Sequence, residues 1–339
     1  LDNIKGQDAA VRALVTALSS GRVPHSFLFA GPSGVGRALA AYEVAKALLC
    51  PKGPAAACGK CPSCRRVDSR THGDLFVVGL SNGSAQIKID PIRDLCGVVA
   101  QTPLEGTRKV AVIDPADAMT EEAQNAFLKT LEEPPADTTI ILIAENTDAL
   151  LPTVRSRCRR VNFARLGEDV IRERLIESGI GKAKAAALAR LSDGSLGTAL
   201  AFSEGRLLEV KREFIAAVLA AKPGDEETIA ERIAPSDKKK KKKPQAEIRQ
   251  EAVVLLTMLE SAMADCLRAK AGAPVRTNSD LAAELESFAG TLDIDALEAL
   301  EKAVSDAIIL LGYYADAKLV AMHVAAAFSR RGSRTQVEV

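Results

Sequence analysis

Short, continuously apolar runs alternate with amphipathic stretches through the first half of the chain. Ser26–Ala30 (SFLFA), Leu75–Val78 (LFVV), Lys109–Ile113 (KVAVI), Thr138–Ala144 (TTIILIA) and Val161–Phe163 read as strands. The segments between them read as helices. Ala38–Leu49 is Ala-rich, and in Thr120–Leu131 the residues Ala123, Phe127 and Leu131 fall at i, i+4 and i+8. Strands without polar alternation need cover on both faces, so the pattern predicts a parallel sheet between helical layers. After about residue 165 the strand signal stops. Two short helices joined at Gly179–Gly181 are predicted within Asp169–Leu191, another opens in Gly194–Ala201, and Leu207–Ala221 forms the next. Lys222 to Gln245, rich in charge, Pro and Gly, is predicted to be a loop or linker. Helical periodicity resumes at Glu251. One stripe runs through Leu255, Leu259, Ala262 and Cys266, another through Leu297, Leu300, Val304, Ala307 and Leu311.

Composition narrows the function classes. A chain of 339 residues with 47% apolar content has room for two or three domains with real cores. Forty-five Lys and Arg against 44 Asp and Glu leave a net charge of +1, which excludes a DNA-coating basic protein and an acidic disordered chain. Aromatics are 4%, with no Trp, which argues against a stacking platform for single-stranded nucleic acid. Asp2, Lys5, Asp8 and Arg12 break the opening segment, so no secretory signal is expected there. The apolar runs are far shorter than the roughly 20 residues that cross a bilayer. The expectation is a cytoplasmic protein with no membrane partner. In that compartment seven Cys point to thiols or metal ligands rather than disulfides. The run Lys238–Lys243 invites a DNA-binding reading, but neighbouring acids cancel much of its field, and a solvated loop is the simpler expectation.

Two segments carry the signs of a phosphate site that has lost its chemistry. Gly31–Ala38 reads GPSGVGRA between a strand and a helix, where Gly31, Gly34 and Gly36 can turn backbone N–H groups toward an anion. A working loop follows the last Gly with Lys, for the β- and γ-phosphates, and with Ser or Thr, for Mg²⁺. Here those positions hold Arg37 and Ala38. Lys109–Asp114 (KVAVID) is an apolar strand ending in an acid, the arrangement of a metal-binding Walker B strand. A hydrolytic site would follow it with Glu to polarise water; this chain has Pro115. ATP is expected to be absent or weakly bound, and hydrolysis by this chain alone is not expected.

Cys50, Cys58, Cys61 and Cys64 lie within fifteen residues, the last three as CGKCPSC. Two overlapping C-x2-C steps and a fourth thiol suit tetrahedral Zn²⁺ in a closed, structural site. An iron–sulfur cluster and unmetallated thiols are the rival readings. Cys96, Cys158 and Cys266 are expected to be buried small side chains, and His72 is not needed as a ligand.

These features fall in a recognisable order: IKGQ at 4–7, HSFLFAGPSGVGR at 25–37, CGKCPSC at 58–64, AFLKTLEEPP at 126–135 and SRC at 156–158. The set resembles bacterial clamp-loader subunits of DNA polymerase III, AAA+ proteins that open a ring-shaped sliding clamp and close it around primed DNA. The resemblance covers residues 1 to about 205 with specific motifs, and beyond that only a helical pattern. It implies an AAA+ P-loop domain with a parallel sheet and an inserted Cys₄ zinc module over 1–165 (the module at about 50–64). A small helical lid over 166–206 and an all-α collar domain over 207–339 would follow.

Departures from the family's ATPase pattern imply which kind of member this is. The gamma/tau ATPases carry Lys-Thr in the phosphate loop, an Asp-Glu pair after the Walker B strand, and an Arg at the start of a lid helix. This chain has Arg37-Ala38, Asp114-Pro115 and Gly197, and keeps Arg157 in SRC. That combination is similar to the non-hydrolysing delta prime kind, which offers an arginine finger to a neighbour. The resemblance assigns Arg157 that role, with Gly31, Gly34, Gly36, Arg37 and Asp114 as a vestigial nucleotide site. An ordinary salt bridge is the alternative for Arg157. Implied partners are the gamma/tau and delta subunits, the sliding clamp and, through the complex, primed DNA. Glu132 and Glu133 are candidates for pairing with a neighbour's basic face, a solvated helix end being the alternative. The rival functions are an active gamma/tau-like ATPase and a zinc-dependent nucleic-acid-binding module.

Overall fold

The computed structural model describes all residues except 2, 22, 54–56, 82–83, 85, 204–206, 236–244, 313–314 and 331–339. The lysine run 238–243 therefore lies outside the described residues. The chain divides into two compact units: residues 1–177 with 193–197, and residues 178–192 with 198–339.

The first unit contains α1 (Asp8–Ser19), β1 (Ser26–Ala30), α2 (Arg37–Leu49), α3 (Pro62–Asp68), β2 (Leu75–Val78), α4 (Ile89–Val99), β3 (Lys109–Ile113), α5 (Glu121–Glu132), β4 (Thr138–Ala144), α6 (Pro152–Arg155), β5 (Arg159–Asn162) and α7 (Glu168–Glu177). The five strands pair in parallel in the order β2-β3-β4-β1-β5. Residues of β1, β3 and β4 are buried without exception, as their unbroken apolar runs require. Phe27, Phe29, Val110, Val112, Ile141 and Ile143 form one core with Leu14 and Leu18 of α1 and Val44 and Leu48 of α2. Helices α4 and α5 pack together, with α4 also against β2 and β3. The fold class is therefore the expected one, an α/β unit with a parallel sheet between helices, followed by a helical unit.

Polar side chains tie the sheet's connections where backbone groups would otherwise be orphaned. Buried Lys109 donates its ammonium to the carbonyls of Val98 (3.4 Å), Val99 and Gln101, closing the C-terminus of α4. Buried Asp74 accepts the amides of Leu104 (2.5 Å), Glu105 (2.9 Å) and Gly106 (2.9 Å). Burial alone would raise its pKa, but these three amides outweigh it and hold the carboxyl below its ordinary value.

The second unit is helical: α8 (Lys182–Leu191), α9 (Leu196–Ser203, entering this unit at Thr198), α10 (Leu207–Leu219), α11 (Glu226–Ile233), α12 (Gln245–Lys270), α13 (Ala282–Gly290), α14 (Ile294–Gly312) and α15 (Ala317–Arg330). One core runs from Phe214 to Phe328. The stripe Leu297, Leu300, Val304, Ala307 and Leu311 is buried as predicted. Along α12 the buried line is Ala252, Leu256, Leu259, Ala262, Met263 and Cys266, with Leu255 only partly buried, so the predicted stripe is rotated at its start. The predicted linker 222–245 is corrected: it contains α11, whose Ile229, Ala230 and Ile233 are buried in this core, and α11 packs on α15. Asp265 fixes the turn after α12 by accepting the amides of Arg276 (3.0 Å), Thr277 (3.0 Å) and Asn278 (2.8 Å).

Candidate functional site

The phosphate loop leaves β1 and enters α2 through three glycines with positive φ: Gly31 (152°), Gly34 (70°) and Gly36 (101°). A side chain at Gly31 would meet the Phe163 carbonyl. At Gly34 it would run into the Ser195 hydroxyl and lie 3.0 Å from the Gly197 Cα. Gly197 returns the contact: its amide donates to the Gly34 carbonyl at 3.0 Å, and a Cβ on Gly197 would sit 2.9 Å from the Gly34 Cα. The two backbones approach this closely because both residues are glycine. Gln7, from the IKGQ segment, braces the same loop. Its amide donates to the carbonyls of Val35 (3.2 Å) and Ala164 (2.6 Å), and its carbonyl accepts the Ala164 amide at 3.0 Å.

A carboxylate of the chain itself lies against the loop. Glu145, just past β4, accepts the Ser33 amide at 3.3 Å and stands 4.0 Å from the buried guanidinium of Arg37. Asp114 and Asp117 lie behind it. Burial pushes the Asp114 carboxyl above the usual range, Arg37 pulling it back and Asp117 adding to the rise. Asp117 is buried, and burial likewise raises its pKa. Its Oδ2 accepts the amides of Glu145 (3.1 Å) and Asn146 (2.8 Å), which fixes the chain leaving β4. A cleft of about 390 Å³ opens beside the loop, lined by Gly31, Pro32, Glu145, Thr147, Asn162 and Arg165 among others.

Arg157 follows α6 on the segment between β4 and β5 and is half-buried. Its guanidinium donates to the Thr153 carbonyl at 2.9 Å and pairs with Glu132 at 2.5 Å. Glu132 is thus matched within the chain, whereas the sequence suggested a neighbour's basic face. The segment is anchored by buried Gln124 of α5, which donates to the carbonyls of Met119 and Ala149 (both 3.1 Å) and accepts the Leu151 amide at 2.7 Å. Arg155 pairs with Asp148 at 2.7 Å.

The sulfurs of Cys50, Cys58, Cys61 and Cys64 all lie within 4.8 Å of one another. A tetrahedron of Zn–S bonds of 2.3 Å sets its sulfurs ~3.8 Å apart, so the four thiols fit the ion. Cys61 caps α3, its sulfur accepting the Cys64 amide at 3.4 Å, the kind of backbone donor that stabilises a metal-bound thiolate. Backbone N–H groups of Lys60 and Cys61 bring the Cys58 thiol down to about 6, while burial pushes Cys64 up to about 12. The cluster is docked on α2 by Ser63, which donates to the Leu49 carbonyl at 2.7 Å, and by the Lys46–Asp68 pair at 2.9 Å. His72 is buried with Nδ1 accepting the Asp74 amide at 3.0 Å and is not among the four. Of the other thiols Cys266 is buried, but Cys96 and Cys158 are only partly so, a correction to the sequence expectation.

Three residues of this region escaped sequence reasoning: Gln7, Gln124 and Glu145. Each is a single polar residue with a partner 25 or more positions away, as Gln7 with Ala164, Gln124 with Ala149 or Glu145 with Ser33. A buried Gln inside an amphipathic helix was the one available hint, at Gln124.

The family model described as "DNA polymerase III, delta subunit" matches residues 6–167. Among curated proteins, DNA polymerase III subunit delta' of Pseudomonas aeruginosa is 44% identical over 40% of this chain and 41% of its own length. Subunit delta' of Bacillus subtilis is 37% identical over 55% of this chain and 56% of its own. Subunit tau of Escherichia coli is 32% identical over 66% of this chain and 36% of its own. The chain thus matches about half the length of its delta' relatives. Among solved structures, a gamma subunit-related protein of Thermotoga maritima covers 95% of this chain and 99% of its own at 15% identity and a TM-score of 0.43. Among the described residues no helix is long and apolar enough to cross a membrane. Over residues 6–167 this chain matches the model of the DNA polymerase III delta-subunit family, and it is similar to the delta' members.

Proposed function

We propose that this chain is a non-hydrolysing, delta prime-type subunit of a DNA polymerase III clamp loader. In this reading it joins gamma/tau and delta subunits in the cytoplasm and helps place the sliding clamp on primed DNA. Its part in ATP hydrolysis is to supply Arg157 to a triphosphate bound by a neighbouring gamma/tau subunit. There a guanidinium stabilises the charge that develops on the transferring phosphoryl group, a contribution worth ~10³–10⁵ in rate where such fingers act. The helices from Leu207 onward serve as the collar that joins the subunits, and α8 and α9 as the lid.

One observation carries the proposal: groups of the chain itself occupy its phosphate loop. The Glu145 carboxylate takes the Ser33 amide, where a phosphate oxygen would have to bind, and the Gly197 amide takes the Gly34 carbonyl. A bound triphosphate would meet the like charge of Glu145 at the Ser33 amide. It would find no hydroxyl at Ala38 to hold Mg²⁺ and no carboxylate at Pro115 to activate water. The four cysteines would hold Zn²⁺ as a structural ion, replacing the core that a loop of this length cannot build.

Titrating Mg-ATP into the isolated chain tests the site directly. No saturable binding at micromolar nucleotide and no turnover are expected. Tight binding with turnover would instead favour the gamma/tau-like ATPase.

A further inference from the structure

We propose that Glu132 is the positioning residue for the Arg157 guanidinium, an inference that rests on the finger reading above. Glu132 ends α5, and Pro134 and Pro135 stop the helix directly after it. An acid in the last helical turn faces the negative end of the helix dipole, so this position favours a carboxylate only when a cation answers it. Arg157 is that cation, at 2.5 Å. The same guanidinium donates to the Thr153 carbonyl at 2.9 Å. Two points on opposite ends of the guanidinium fix its plane and leave three of its five N–H donors for an anion.

The segment carrying Arg157 is thereby fastened to α5 at both ends, Gln124 holding its entry through the Leu151 amide and Glu132 holding its tip. The ion pair is partly exposed, Arg157 at 34% and Glu132 at 48% of their side-chain surface. A pair in that environment is weak. It is therefore suited to orienting the guanidinium and unsuited to withholding it from a triphosphate. Losing the carboxylate frees the side chain to wander, and the neighbour's site then waits for the right rotamer.

The test uses the clamp loader reconstituted with gamma/tau and delta subunits, with turnover measured in the presence of clamp and primed DNA. The share of turnover lost in Arg157→Ala defines what the finger supplies. Glu132→Gln is expected to remove part of that share, lowering turnover about 3-fold, with KM for ATP unchanged. Glu132→Asp should recover part of it, and Glu132→Gln/Arg157→Ala should match Arg157→Ala alone. Wild-type turnover in Glu132→Gln alongside an impaired Arg157→Ala overturns the role of Glu132. So does an equal further loss from Glu132→Gln in the Arg157→Ala background, since the carboxylate would then act through something else. If Arg157→Ala itself leaves turnover untouched, the finger reading fails and Glu132 falls with it.

Discussion

Single residues divide into those whose role a spacing announces and those whose role depends on a distant partner. Cys58, Cys61 and Cys64 belong to the first kind, since two C-x2-C steps bring thiols together through local geometry alone. Gly34 and Gly197 belong to the second. Each glycine is visible in the sequence, but no pattern relates positions 163 apart, and the contact between them exists only in the folded chain. Asp74 is of the second kind as well, a lone acid before a strand that folding places under three amides. Its pKa is depressed in the folded state, so the stability it contributes is present above the ordinary carboxyl range and is lost as pH falls through the folded value. Asp74→Asn is expected to cost roughly 1–3 kcal/mol at pH 7 in urea unfolding. The gap to wild type should narrow as the pH drops below about 4. A gap independent of pH would contradict this role.

Elements were legible where burial is one-sided or complete, and illegible where charge masks a short buried face. The central strands β1, β3 and β4 were readable because a strand covered on both faces has no polar positions to blur it. Helix α11 was missed because its eight residues carry three Glu and one Arg on the outer face. Only Ile229, Ala230 and Ile233 mark the inner one, too few to show a period. Their burial makes Ile233→Ala a sharp test: removing this fully buried side chain is expected to destabilise the helical unit by roughly 2–4 kcal/mol, read from the chemical denaturation midpoint. A change within experimental error would place α11 outside the core. The cysteine element is tested by metal content. One zinc per chain is expected by elemental analysis, and Cys61→Ser or a strong chelator should remove it and lower the melting temperature. Melting unchanged by chelation would leave the four residues as simple thiols.

At the scale of the whole molecule, the order of motifs carried more than any one of them. A glycine-rich turn alone, or an arginine between two strands alone, has many innocent explanations. Together with the cysteine cluster and the proline pair they match a family model over residues 6–167. The helical unit had no such signature, because helix packing constrains volume and periodicity rather than residue identity. The division at residues 177 and 197 left no mark in composition either. The central claim is that the molecule separates donating a catalytic cation from using a nucleotide of its own. The most direct measurement is steady-state ATP turnover of the reconstituted clamp loader carrying Arg157→Ala, with assembly checked by gel filtration. An intact complex with turnover reduced relative to wild type is predicted. An intact complex hydrolysing ATP at the wild-type rate would contradict it.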